Sequence, residues 1–126
     1  MNIIKIAAGQ FVMENNLQKN KKSILKLIQV AIKQKARILL LPECALIGRI
    51  DDEFTGTKSF NQQEIDAALL EIGKIAKLGK IFVAVGTALY NYTNKTWTNS
   101  LVIINSRVIS FISCNFLFAK HFVRNF

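Results

Sequence analysis

The chain has 126 residues, of which 51% are hydrophobic and 20% are charged, with six glycines and one proline. This composition fits one compact domain or a piece of one, and it excludes collagen-like, low-complexity and disordered chains. The two cysteines, Cys44 and Cys114, are too few and too far apart for a disulfide scaffold or a metal cluster, so we expect reduced thiols and a cytoplasmic protein.

The charge is strongly basic and unevenly distributed. Seventeen basic residues against eight acidic ones leave a formal net charge of +9, and all eight acids lie at or before Glu71. Such a field attracts phosphates and anionic surfaces. Because the basic residues alternate with strand-like apolar runs and form no compact patch, nucleic-acid binding is only a weak hypothesis. No run approaches about 18 consecutive apolar residues, so no membrane span is expected, and the N-terminus lacks the pattern of a signal peptide.

The first part of the chain predicts a strand, a helix and a second strand. Residues 3–8 form an apolar, β-branched run that ends at Gly9 and predicts a buried strand. From Leu17 to Ile32, apolar residues recur at helical spacing with lysines between them, which predicts a helix with lysines on its exposed face. Residues 37–41 are a second apolar run, stopped by Pro42, which cannot donate to a central strand ladder.

A second helix and three further strands are predicted next. Residues 48–60 contain three consecutive acids and no periodic pattern, which indicates a surface loop. Asn61, with Glu64 three residues later, predicts a helix start with a capping box, and the helical spacing ends at Gly79. The remaining pattern predicts strands over residues 81–85, closed by Gly86, and over 98–104 and 108–113, with turns at 90–95 and 105–107.

The order β-α-β-α-β-β-β predicts a layered α/β fold with a sheet of mixed strand direction. We find no internal repeat and no linker. The C-terminal stretch is unusual, because five of the nine phenylalanines fall within the last sixteen residues.

The most informative residue for chemistry is Glu43, which directly follows a predicted buried strand and Pro42. Open α/β sheets place their ligand crevices at the carboxyl ends of strands, so a buried Glu43 would be a candidate general base. A solvated loop carboxylate is the alternative. In extended backbone the next residue, Cys44, would point to the opposite face from Glu43, which favours a role as a small buried hydrophobic residue.

Five segments resemble, in order and spacing, the N-terminal part of the nitrilase superfamily, the carbon-nitrogen hydrolases. They are Ile-Lys-Ile-Ala-Ala-Gly-Gln at 4–10, the helix end at 31–36, Ile-Leu-Leu-Leu-Pro-Glu at 38–43, Val-Gly-Thr at 85–87 and Thr-Asn-Ser-Leu-Val at 98–102. The resemblance extends to about residue 112. It implies an αββα sandwich, incomplete here, with a mixed sheet and helices on one face. Residues 1–126 would be the N-terminal part of one such domain, with an atypical tail from about residue 114.

The resemblance also implies hydrolysis of amide or nitrile carbon-nitrogen bonds by a Glu base, a Lys and a nucleophilic Cys, with no metal or organic cofactor. Glu43 matches the catalytic Glu. The sequence departs from the family pattern because Cys114 stands where the lysine belongs. Lys120 could be a displaced equivalent, but its spacing from Asn99 is then several residues longer than in the family pattern. The nucleophilic cysteine belongs downstream of the lysine, beyond Phe126, and neither Cys44 nor Cys114 is a convincing substitute.

Three functional hypotheses follow. The first is a truncated or split carbon-nitrogen hydrolase, which would act on small amides or nitriles if complete and is inactive alone. The second is an interaction module whose uncovered apolar sheet surface pairs with a complementary C-terminal half or with another copy of the chain. The third and weakest is a basic nucleic-acid binder.

Overall fold

The structure is a computed structural model that describes residues 3–48 and 60–104 in full and the backbone of residues 113–115. Its elements, in chain order, are β1 (Ile6–Ala8), α1 (Leu17–Lys33), β2 (Ile38–Leu40), α2 (Gln62–Gly79), β3 (Phe82–Asn91), β4 (Thr96–Ile104) and β5 (Ser113–Asn115). The strands form one sheet in the order β1-β2-β3-β4-β5. β1, β2 and β3 are parallel, whereas β4 is antiparallel to β3 and to β5. The predicted mixed sheet is confirmed.

Both helices lie on the same face of the sheet. Each connects two adjacent parallel strands, and right-handed crossovers that step in the same direction place their helices on the same side. α1 and α2 also pack against each other. Gly79 lies at that contact, because a Cβ there would collide with the side chain of Ile32. The predicted single helix layer is therefore confirmed.

The hydrophobic core lies between this helix layer and the sheet. Most of the apolar positions predicted from helical spacing are buried in both helices, and they meet buried residues of β2, β3 and β4. Fully buried members of this core are Ile24, Ile28, Ile65, Leu69, Ile72, Leu39, Val83, Val85, Val102 and Ile104. Because full burial of one such side chain contributes about 1.5–3 kcal/mol, this interface is the main source of stability in the described part of the chain.

Asparagine side chains cap the N-termini of both helices. Oδ1 of Asn61 accepts hydrogen bonds from the backbone N–H groups of Gln63 and Glu64, at 3.0 and 3.4 Å, which confirms the predicted start of α2. Asn16 caps α1 in the same way by accepting from Lys19 N at 3.0 Å. Such caps satisfy backbone donors that have no partner inside the helix.

Two strand predictions are wrong. β1 is shorter than the apolar run at residues 3–8 and is not buried, since Ile6 is 58% exposed. The reason is that β1 pairs only with β2 and lies at the edge of the sheet. β3 does not stop at Gly86 but continues to Asn91, because β4 pairs with it in unbroken register from Val83 onward. The turn that follows occupies residues 92–95 and not 90–95.

Other predictions fall on parts of the chain that the structure does not describe. Residues 49–59 of the predicted surface loop, the predicted turn at 105–107 and the tail from 116 onward lie outside the described residues. The strand predicted over 108–113 meets the described chain only at Ser113, where β5 begins.

The face of the sheet opposite the helices carries large apolar side chains. Residues paired across neighbouring strands share a face, so the register places several such residues on this surface. We define the open face by six of them: Ile6, Ile38, Leu40, Phe82, Leu101 and Ile103. No described helix covers them. Ile6 and Leu40 are 58% and 47% exposed, and the other four are partly buried.

The chain leaves β2 through a turn that lies against β3 at Gly86. The backbone N–H of Leu46 donates to the carbonyl of Gly86 at 3.1 Å. A Cβ on Gly86 would lie 2.5 Å from the carbonyl oxygen of Pro42, 2.7 Å from the nitrogen of Cys44 and 2.8 Å from Cα of Glu43. These are all backbone atoms, so only glycine permits this contact.

A buried asparagine of α1 holds the same turn from the helix side. Asn20 is 1% exposed. Its Oδ1 accepts from Glu14 N at 2.9 Å, and its Nδ2 donates to the carbonyl oxygens of Glu14 at 2.6 Å and Leu46 at 3.3 Å. Asn20 thus connects the loop after β1 with the turn after β2.

We predict that Asn20→Ala lowers the free energy of unfolding by about 1–3 kcal/mol, because it removes the hydrogen-bond partner of the buried Leu46 carbonyl and of the partly buried backbone N–H and carbonyl of Glu14. Urea denaturation measures this change. Gln29→Ala, on the exposed side of the same helix, is the control and should change stability by less than about 0.5 kcal/mol. Equal effects of the two substitutions would contradict a structural role for the Asn20 hydrogen bonds.

We predict that Gly86→Ala lowers the free energy of unfolding by about 1–3 kcal/mol, because the added methyl group forces the backbone of the turn away from β3. Gly9→Ala is the matched control. A Cβ at Gly9 would meet the ends of the Leu27 and Leu41 side chains, at 3.0 and 3.2 Å, which can move more easily than backbone. A Gly86→Ala variant as stable as wild type would show that the turn does not depend on this contact.

Candidate active site

Glu43 lies at the carboxyl end of β2, where the sequence predicted it. Its Oε1 accepts a hydrogen bond from Nδ2 of Asn99, which belongs to β4. The Glu43 side chain is exposed in the described structure. The sequence made Glu43 a candidate general base on the condition that it is buried, and this burial is not found among the described residues. The contact with Asn99 nevertheless holds the carboxylate over the sheet.

The side chain of Asn99 contacts two residues that are adjacent in sequence, Glu43 and Cys44. It pairs with Ala88 of β3 and lies on the same face of the sheet as Leu101. Besides donating to Glu43, it accepts a hydrogen bond at Oδ1 from Sγ of Cys44, at 3.8 Å. The candidate site thus consists of Glu43, Asn99 and Cys44, at the margin of the open face.

Asn99 lies in one of the segments that resemble the nitrilase superfamily, but the sequence alone indicates no role for it. A signal that points to Asn99 is that it is a polar residue inside a strand with apolar residues around it. Ala88 is paired with it on β3, and Leu101 lies two residues further along β4 on the same face. That signal requires the register between β3 and β4, which the sequence does not state.

The burial predicted for Cys44 is confirmed, but the reasoning from extended backbone is wrong. Cys44 is 7% exposed. Its φ angle is +56°, in the left-handed region, so the alternation of an extended strand does not apply at this position. The tight turn against Gly86 sets this conformation, and it places the Cys44 thiol against the same amide that contacts Glu43.

The chemical capacity of the site follows from the carboxylate. A carboxylate has two oxygens, so Glu43 can keep its bond to Asn99 through Oε1 and accept a proton through the other oxygen. Within residues 3–48 and 60–104, no lysine or arginine forms an ion pair with Glu43. The backbone of Cys114 pairs with Leu101 in β5, whereas Lys120 lies outside the described residues.

Other features of the described chain do not overlap with this site. A cavity of about 230 Å³ lies at the start of α2 and the end of β3, and its walls are formed by Gln62, Asp66, Leu69, Leu89, Tyr90 and Tyr92. Among the described residues, no three His, Cys, Asp or Glu side chains come together as metal ligands. None of the helices described here combines the length and the apolar character needed to cross a membrane.

The fold is similar to that of solved enzymes. An amidase from Nesterenkonia sp. superposes with a TM-score of 0.72 at 18% identity, covering 89% of this chain and 42% of the amidase. The C. elegans NitFhit protein gives a TM-score of 0.64 at 19% identity, covering 90% of this chain and 28% of its own. A glutamine-dependent NAD(+) synthetase from Cytophaga hutchinsonii gives 0.65 at 22% identity, covering 90% and 19%. This chain therefore spans less than half of each of these proteins.

At the level of sequence, no curated protein matches the chain. The family model for carbon-nitrogen hydrolases, however, matches residues 5–110. This range contains four of the five segments on which the resemblance to the nitrilase superfamily was based, and all of the first segment except residue 4. The incomplete α/β layers agree with it. The chain belongs to the carbon-nitrogen hydrolase family.

Proposed function

We propose that this chain is the N-terminal portion of a carbon-nitrogen hydrolase of the amidase or nitrilase type, that Glu43 is its general base, and that it is inactive alone. The observation that carries the proposal is the position of the Glu43 carboxylate. It lies at the carboxyl end of a parallel strand and is held over the sheet by Asn99, in a chain that matches the family over residues 5–110.

In this proposal Glu43 takes the proton of a cysteine thiol that another polypeptide segment supplies. The thiolate attacks the amide carbon, and a lysine ammonium stabilises the resulting oxyanion. The carbon-nitrogen bond then breaks, and the proton held by Glu43 passes to the departing nitrogen. Water, deprotonated by the same carboxylate, cleaves the acyl-enzyme and regenerates the thiol.

Small amides are the proposed substrate class, with nitriles as the alternative. Variants of the Nesterenkonia amidase have been solved with acrylamide or with the acetamide moiety of fluoroacetamide attached at the active site cysteine. Those ligands belong to that protein. Because this chain belongs to the same family, we propose small amides as its substrate class too.

Two observations support inactivity of the chain alone. Cys44 is buried and its thiol contacts Asn99, so it is poorly placed to attack a substrate. Glu43 is exposed, whereas electrostatic stabilisation and proton transfer are most effective in a site that excludes water. Under this proposal, both the nucleophile and the cover of the site come from outside residues 3–48 and 60–104.

The open face favours a second, compatible proposal, which is that the chain binds a complementary C-terminal half. A sheet face that carries large apolar side chains is normally buried against another layer, but Ile6 and Leu40 on the open face are 58% and 47% exposed. Glu43 and Asn99 lie at the margin of the same surface, so a partner on this face would also complete the site. A second copy of this chain would cover the surface and bring a second Glu43, whereas a complementary half would also bring the Lys and the Cys that the family mechanism uses.

We predict that the purified chain releases no ammonia from short-chain amides above background. Co-expression with a C-terminal portion of a carbon-nitrogen hydrolase that contains the Lys and the Cys should restore ammonia release, and Glu43→Gln should then lower kcat/KM by about 10²–10⁴-fold. Glu71→Gln, which alters an exposed ion pair with Lys21, is the control and should retain activity. Turnover by the chain alone that disappears in Glu43→Ala but survives blocking of all thiols would contradict the thiol mechanism.

We predict that Leu40→Asp weakens binding of the C-terminal half by at least about tenfold, because it removes a leucine side chain that the partner would bury and places a charge in the apolar interface. Leu78→Asp is the matched control, since Leu78 is 81% exposed on α2, away from the open face. Titration calorimetry measures the dissociation constants. Self-association that Leu40→Asp abolishes would assign the surface to a second copy, and a stable monomer that binds no half would contradict the proposal.

A further inference from the structure

Asn99 has an unusual environment for a polar side chain within a strand. It is partly buried, opposite Ala88 and two residues from Leu101. Both ends of its amide have partners: Nδ2 donates to the Glu43 carboxylate, and Oδ1 accepts from the Cys44 thiol at 3.8 Å. An amide with a donor contact at one end and an acceptor contact at the other has a defined orientation.

The two contacts differ in strength, and this difference explains the orientation. A hydrogen bond to a carboxylate is charge-assisted, whereas a thiol is a weak donor. If the Asn99 amide were reversed, its carbonyl oxygen would face the oxygens of Glu43, which is repulsive. The bond to Glu43 therefore sets the orientation, and the thiol of Cys44 uses the acceptor that remains.

Glu43 has no other described partner that could fix its side chain. It is exposed, it lies on a turn, and it forms no ion pair among residues 3–48 and 60–104. An exposed glutamate normally samples several rotamers, and only an enthalpic contact offsets that entropy. The charge-assisted bond from Asn99 is that contact.

We propose that Asn99 is a positioning residue that holds the Glu43 carboxylate over the open face, and that Cys44 supports the Asn99 amide from its other end. The inference rests on the proposed function of Glu43 as a general base. It gives Cys44 a role in the site that is not nucleophilic. It also explains why two residues adjacent in sequence contact one side chain on β4.

The first test is the rotamer of Glu43 in the full chain, measured from three-bond NMR couplings at its Cβ protons. Wild type should show one dominant χ1 rotamer. Asn99→Asp and Asn99→Ala should shift the three staggered rotamers toward populations of about one third each. Asn99→Asp keeps the size of the side chain and the acceptor for Cys44 but has no donor for Glu43, so it separates lost positioning from lost packing.

Asn91→Ala is the matched control for these variants. Asn91 lies on the same hairpin and accepts from the backbone N–H groups of Thr93 and Asn94 at 3.0 and 3.2 Å, so its loss should leave the Glu43 rotamer unchanged. Retention of one dominant Glu43 rotamer in both Asn99 variants, with native backbone spectra, would overturn the inference.

The second test follows the side-chain amide of Asn99 in wild type and requires no variant of Asn99. Glu43→Ala, which removes the acceptor, should shift the Nδ2 resonance of Asn99, and Glu43→Gln, whose amide oxygen can still accept but carries no charge, should shift it less. Cys44→Ala should broaden the amide resonances, and Cys44→Ser, whose hydroxyl can donate, should restore them. An Asn99 amide whose resonances are unchanged in Glu43→Ala would also overturn the inference.

Neither test requires turnover, so the two proposals can fail separately. If Asn99 fixes Glu43 but the co-expressed halves release no ammonia, the positioning role holds and the hydrolase proposal fails. If the co-expressed halves are active and Asn99→Asp changes neither the Glu43 rotamer nor kcat, the general base remains and the positioning role is wrong.

Discussion

The packing of one turn against one strand determines where the candidate site lies. The turn after β2 lies on β3 at Gly86, and the three backbone atoms nearest to a Cβ at that position belong to Pro42, Glu43 and Cys44. From the helix side, Asn20 holds the same turn through the carbonyl of Leu46. Since the turn is fixed from both sides, the Glu43 side chain starts from a defined place and reaches Asn99 on β4.

The layers of the fold explain why one surface carries both the candidate site and the proposed interface. Right-handed crossovers put α1 and α2 on one side of the sheet, so the apolar residues on the other side have no cover among the described elements. Asn99 and Leu101 share that side because they alternate along β4. A partner that buried Leu40 would therefore also enclose the region of Glu43, and the hydrolase and interaction hypotheses describe one arrangement.

Features that depend on local sequence were predicted well, whereas features that depend on distant contacts were not. Helix α2 follows from the spacing of Ile65, Leu69 and Ile72 and from the cap at Asn61, which are all local signals. The extension of β3 beyond Gly86 was missed because it depends on pairing with β4. Glycine reads as a strand end in sequence, but here it allows the close approach of another backbone.

The same distinction applies to the site. The position of Glu43 after a strand and a proline is visible in sequence, and so is its match to the family motif. Its contact with Asn99 joins residues 56 positions apart, so it cannot be predicted from local sequence. Asn20 cannot be distinguished in sequence from the other polar residues of a lysine-rich helix, because its hydrogen-bond partners lie in two separate loops. The left-handed conformation of Cys44 is set by packing on β3, so reasoning from extended backbone failed there.

A general base needs both a fixed position and surroundings that exclude water, and the described structure supplies only the first. Gly86 and Asn20 fix the turn, and Asn99 contacts the carboxylate, yet Glu43 is exposed. The helices cannot exclude water from it, because they lie on the opposite face of the sheet. Under the proposed function, the cover must therefore approach from the open face, and it must leave free the Glu43 oxygen that Asn99 does not bind. A partner that buried both oxygens would stabilise the assembly but would prevent proton transfer, so the geometry of that interface, and not its area alone, decides whether the site can act.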